Sequence, residues 1–164
     1  AAGLADLQEK IALISANAAG KVVYYATILH ANNLKVAALL DSDAAGDQAA
    51  QQDALVGTLG NKRIIRTRDA YKGAVTKPEI EDMLRDTLVA LAKADLGWNV
   101  EGKAKATPGR PIVDLFAAEV PDFSKYKLAK AYVRWTRGND ATALTANERT
   151  AWAVLIEKIN AALK

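Results

Sequence analysis

The stretch Leu34-Lys35-Val36-Ala37-Ala38-Leu39-Leu40-Asp41-Ser42-Asp43-Ala44-Ala45-Gly46-Asp47 decides how the rest of the chain is read. An aliphatic run ends abruptly in two carboxylates one residue apart, with glycine close behind. Leu34 to Leu40 reads as a continuous apolar strand, buried on both faces if the sheet is parallel. Ala44 to Leu59 is Ala/Gln-rich and reads as the following helix, with Gly60 as its C-cap. Upstream, Ile11-Ala12-Leu13-Ile14 is a short β-type run. Lys21 to Ala31 reads as a helix whose apolar face holds Val22, Val23, Ala26, Leu29 and His30. Downstream, Arg63-Ile64-Ile65-Arg66-Thr67 is the next strand. Strand–helix alternation of this kind predicts an α/β fold with a mostly parallel sheet flanked by helices.

Thr76-Lys77-Pro78-Glu79 is a capping-box pattern, with proline early in the helix, where it is tolerated. The helix it opens carries Ile80, Met83, Leu84, Thr87, Leu88 and Leu91 on one face. Asn99 to Pro111 is polar and rich in Gly and Pro, and reads as a linker or loop. Three helical patterns follow, over Ile112–Glu119, Phe123–Arg137 and Thr145–Leu163. The spacing therefore predicts an α/β core over 1–98 and a helical subdomain over 99–164. Trp135 and Trp152 read as core aromatics.

Composition sets the outer bounds. The chain has 164 residues and no cysteine, which excludes disulfides and thiolate zinc sites. No apolar run approaches the ~20 residues of a membrane span. The N-terminus lacks a basic-then-apolar signal pattern, so a cytoplasmic location is the expectation. Residues 1–100 carry 11 Lys/Arg against 12 Asp/Glu, and residues 101–164 carry 11 against 7, so the net charge of +3 comes from the second half. A near-neutral half with clustered acids joined to a basic half suits a metal site beside a polyanion-binding surface, and also suits an ordinary solvated helical exterior.

In an open parallel sheet, ligands bind beyond the carboxyl ends of the strands, where Asp41 and Asp43 stand. Residues i and i+2 of a strand point the same way. Two carboxylates so placed repel unless a cation lies between them. Hard oxygen donors suit Mg²⁺ or Mn²⁺. The competing reading is that one aspartate caps the helix starting near Ala44. Gly46 is expected to leave room for a bulky ligand. A second acidic cluster, Glu79-Ile80-Glu81-Asp82, opens a helix, where acids also complement the macrodipole. Acids from two strand–helix units would serve two cations about 3.5–4 Å apart, the arrangement that hydrolyses phosphodiesters.

These residues carry a resemblance. "KVAALLDSDAAGD" (35–47) resembles the Asp-x-Asp strand of Toprim domains. "KPEIEDMLR" (77–85) is similar to the acidic segment of the OLD-family nucleases, in which Toprim follows an ATPase domain. "ISANAAGKVVYYATIL" (14–29) is similar to that family's turn and helix before the aspartate strand, and "FSKYKLAKAYV" (123–133) to its later lysine-bearing helix. The resemblance implies a Toprim-like, Rossmann-like fold and a DNA endonuclease or nickase using two divalent metals. It implies that Asp41, Asp43, Glu79 and Glu81 hold Mg²⁺ or Mn²⁺, with Ca²⁺ as a non-productive occupant. It gives Lys125, with Lys127 as the alternative, the role of stabilising charge on the phosphate, and Asp82 a supporting place behind the ligands. DNA and an N-terminal ATPase domain are the implied partners. Toprim domains carry a Glu-Gly on a first strand, and none precedes Ile11, so the resemblance implies that this chain starts after that strand. Ser15–Gly20 also holds less glycine than the family's turn.

Other readings stay open. A haloacid-dehalogenase-like phosphatase also places Asp-x-Asp after a strand. A non-enzymatic nucleic-acid-binding or oligomerisation module would use the acids as caps. His30, the single histidine, reads as structural. Neither a Gly-x-Ser-x-Gly turn nor a phosphate-binding Gly-rich loop is present. Lys127, Lys130, Arg134 and Arg137 follow the 3–4 spacing of one helix face and could contact phosphates. Arg63, Arg66 and Arg68 pose the same choice around the third strand.

Overall fold

The structure is a computed structural model that describes residues 5–164. The chain is α/β and mostly helical: the described residues form eight α-helices and one two-stranded parallel sheet. No helix among them is long and apolar enough to cross a membrane. Two compact units are present. One comprises the residues up to Ala70 together with Trp152–Lys164, and the other is Tyr71–Ala151.

The first unit holds α1 (Val22–Ala31), β1 (Ala38–Leu40), α2 (Ala44–Ala50), α3 (Asp53–Leu59) and β2 (Ile64–Arg66). The strands pair in parallel, with Ala38 opposite Ile64 and Leu40 opposite Arg66. A parallel pair needs a crossover, and α2 and α3 supply it. Ala38 and Leu40 enter a core with Ala26, Ala49, Leu55 and Leu59, while Leu39 points the other way and is 40% exposed. The strand is thus buried on one face, where the unbroken apolar run predicted two. Only its last three residues pair, and Leu34 is exposed. Ile11–Ile14 forms no strand, and Leu13 and Ile14 are exposed. A short apolar run adopts strand geometry only where a neighbouring strand takes its hydrogen bonds. The helix expected over 44–59 breaks at Gln51-Gln52, where Gln52 turns extended (ψ 122°) to start α3. Gly60 ends α3 at φ 69°, in the region that favours glycine. The apolar face of α1 is only partly used: Ala26 is buried, but Tyr24 and Ile28 are exposed.

The second unit holds α4 (Arg85–Leu96), α5 (Glu101–Ala106), α6 (Ile112–Glu119), α7 (Lys125–Trp135) and the first turns of α8 (Ala146–Ala162). A 3₁₀ turn, Ile80–Leu84, precedes α4, so the helix expected straight after Pro78 starts later. Residues 99–111, expected as a loop, contain α5. Val100 is buried at its start, and Glu101 pairs with Lys105 one turn on (2.8 Å). The core is Met83, Leu88, Leu91, Ile112, Leu115, Phe116 and Leu128, and α4 packs on α7. Trp98, Phe116 and Phe123 form an aromatic group, with Phe116 and Phe123 stacked at 5.8 Å. Buried Glu148 accepts from the Thr87 N–H (2.9 Å), the Thr87 hydroxyl (2.7 Å) and the Thr145 N–H (3.0 Å). Trp135 is half-buried and stacks on Tyr132 (5.7 Å) instead of entering the core.

Candidate functional site

At the carboxyl end of β1 the chain is cross-tied to the end of β2. The Arg66 guanidinium, almost fully buried, donates to the Asp41 carbonyl through Nε (3.1 Å) and Nη2 and pairs with Asp47 at 2.9 Å. Asp47 also pairs with Arg68 (3.3 Å). Ser42 is fully buried; its hydroxyl lies 2.9 Å from that of Thr67 and accepts from the Arg68 N–H (2.9 Å). A Cβ built on Gly46 would lie 1.9 Å from the Asp41 carbonyl oxygen. The space that glycine opens is therefore filled by the chain's own backbone, not left for a ligand. Asp43 is the N-cap of α2, its Oδ1 accepting from the Gly46 N–H at 2.7 Å. The capping role and a position at the strand end are thus both true of Asp43, and its second oxygen is the one with no capping bond. Asp41 and Asp43 are half-buried.

In the second unit, Glu79 caps the 3₁₀ turn that carries Glu81 and Asp82. Asp82 is buried and accepts from the Glu79 N–H (2.9 Å) and the Ile112 N–H (2.8 Å), with Arg85 at 3.8 Å. Burial pushes its carboxyl up, against the opposing pull of these donors. Asp82 thus braces the turn from which Glu79 and Glu81 project. Lys125, the first residue of α7, reaches back to both, with Nζ 2.9 Å from Glu81 Oε1 and 3.3 Å from Glu79 Oε2. Partial desolvation lowers the Lys125 ammonium, but the hydrogen bond and charge of Glu81, with Glu79 beside it, outweigh this and hold it above its ordinary value. The second Glu81 oxygen, Oε2, is buried and has no hydrogen-bond partner among the described residues.

Of the residues expected from the sequence, Glu79, Glu81 and Lys125 come together across 46 positions of chain. Asp41 and Asp43 belong to the first unit, and those three to the second. Among the described residues no three His, Asp or Glu side chains form a group able to hold a metal. What is present is a pair of carboxylates around an ammonium, and one orphaned hard oxygen, which is the donor chemistry a divalent cation takes. Lys127 does not join this cluster; it lies on the exposed α7 face with Lys130 and Arg134, Arg137 follows just past the end of the helix, and none of the four makes an ion pair among the described residues. His30 is exposed in the last turn of α1.

The sequence reading weighed Arg66 only as a possible phosphate contact. Its structural part, fixing the turn that carries Asp41 and Asp43, escaped notice. The available signal was an arginine inside an apolar strand, since a charge is buried there only with partners. No family model, curated protein or solved structure matches the chain.

Proposed function

We propose that the chain is a Toprim-like catalytic region that hydrolyses DNA phosphodiester bonds with divalent metal, Mg²⁺ or Mn²⁺. The observation that carries this reading is the Glu79–Lys125–Glu81 cluster at the start of a helix whose exposed face is basic. Glu79 and Glu81 would hold cation in the second unit, and Asp41 and Asp43 would do so in the first, at the carboxyl end of a parallel strand. A divalent cation held there would supply Lewis acidity and a nucleophilic water at neutral pH. Lys125 offsets the charge that develops on the scissile phosphate. Lys127, Lys130, Arg134 and Arg137 bind backbone phosphates without reading sequence, which fixes the register of the strand. The resemblance adds an ATPase domain to this reading.

Nicking of supercoiled plasmid in Mn²⁺ tests it. The wild-type chain converts plasmid to open circles, and Glu81→Gln and Asp43→Ala each reduce the rate at least a hundredfold. Equal nicking by both variants, or none by the wild-type chain, overturns the proposal.

The capping bond of Asp43 favours a second reading, a DNA-binding module whose acids serve the fold. It predicts salt-sensitive DNA retention in the absence of metal, unchanged by Asp41→Ala and Glu81→Gln.

A further inference from the structure

We propose that the outer face of α7 takes a single strand of DNA, with an unpaired base stacked on the ring of Tyr126. This rests on the reading of that face as one that meets backbone phosphates, and deepens it from phosphate contact to a class of substrate. The inner side of α7 is spent on the core: Leu128 and Ala131 are buried, and Tyr132 and Trp135 are half-buried. On the opposite side, Tyr126, Val133 and Arg134 each stand three or four residues from Lys130, the spacing of one helix face. Tyr126 is 74% exposed and Val133 55%. Among the described residues, these two are the only large hydrophobic side chains exposed in the second unit. Both lie among cations that no carboxylate neutralises. The helix carries no acid, and Lys127, Lys130, Arg134 and Arg137 make no ion pair among the described residues.

That combination selects the occupant. A duplex offers phosphates outward and keeps the faces of its bases closed by stacking, so cations alone would serve it and the exposed ring would gain nothing. A single strand offers phosphates and open base faces together, and it binds to cations interleaved with aromatic rings. Lys130, one turn from Tyr126, is placed for the phosphate of the stacked nucleotide. Val133, roughly 10 Å further along the axis than Tyr126, gives a neighbouring nucleotide an apolar contact. An anionic membrane fits less well, because a helix lying in a bilayer interface buries a broad apolar face, and here two apolar side chains stand among four cations.

The test is fluorescence anisotropy of the full chain on a labelled single strand of DNA, on the duplex it forms with its complement, and on an abasic strand of the same length. The wild-type chain binds the single strand more tightly than the duplex. Tyr126→Ala weakens single-strand binding about five- to a hundredfold, the loss of one stacked base, and leaves duplex and abasic binding unchanged. Tyr126→Phe keeps wild-type binding, since the ring and not the hydroxyl is what stacks. Lys130→Ala weakens binding to all three. Unchanged single-strand binding by Tyr126→Ala, with Lys130→Ala still defective, overturns the stacking and leaves the phosphate-binding face standing. Unchanged binding by both variants, or no binding by the wild-type chain, overturns the face and the stacking together. Tighter binding of the RNA strand of the same sequence overturns DNA as the occupant. Retention on phosphatidylserine vesicles that Tyr126→Ala abolishes, with DNA binding unchanged, overturns the proposal in favour of a membrane.

Discussion

Gly46 shows how little slack the strand-end turn has. An added methyl group would sit 1.9 Å from the Asp41 carbonyl oxygen and 3.0 Å from Arg66 Nη2. Gly46→Ala is therefore expected to destabilise the first unit by about 3 kcal/mol, seen as a lower urea midpoint. A wild-type midpoint would mean the turn can yield. From sequence, this glycine marked the right place for the wrong reason, because what crowds a residue from outside its own segment leaves no local trace. Glu101 gives a pH prediction. Hydrogen bonds from Lys105 and then Lys93 lower its carboxyl from 4.5 to about 2. A depressed acid contributes stability that is complete above its unfolded value near 4.5 and is lost as pH falls through about 2. Because the side chain stays open to solvent, the effect is read by carbon-detected NMR titration of its carboxyl. The midpoint lies near 2 and moves upward in Lys105→Met; an unmoved midpoint would remove Lys105 as the cause.

Among the elements, the 3₁₀ turn before α4 depends on one buried acid. Asp82→Ala orphans the N–H groups of Glu79 and Ile112, which it bonds at 2.9 and 2.8 Å. A loss of about 2–4 kcal/mol is expected in urea unfolding, because two buried donors lose their acceptor. Its sequence position had suggested only a supporting place behind metal ligands, and its hydrogen bonds make it the brace of the turn. Helices were the readable elements. Ile112–Glu119 stands as its pattern predicts, and α7 and α8 are each shorter than predicted by one or two residues at either end. Their long 3.6-residue periodicity is local information. The strands were over-read, since a short apolar run looks alike whether or not a partner strand is there to pair with it. Glu101–Ala106 was under-read, because glycine and nearby prolines outweighed a single i,i+4 ion pair.

For the molecule as a whole, the basic excess of the second half concentrates where DNA binding can be measured. If the α7 face meets backbone phosphates, Lys130→Ala and Arg134→Ala each flatten the slope of log affinity against log salt by about 1. An unchanged slope would assign that face to solvent. The candidate site was legible to the extent that its chemistry is local: acids opening a turn and a lysine opening a helix. That Lys125 meets Glu79 and Glu81 across 46 positions was carried by resemblance, not by any pattern in the residues.

The two ends of the described chain meet: Asn160 donates to the Asp6 carbonyl (2.8 Å) and accepts from the Gln8 N–H (3.1 Å). The unit that contains them needs both the earliest and the latest residues, whereas Tyr71–Ala151 is one unbroken segment. On the ribosome, then, closure of that unit waits until Trp152–Lys164 has been translated, whereas Tyr71–Ala151 can close before that segment emerges.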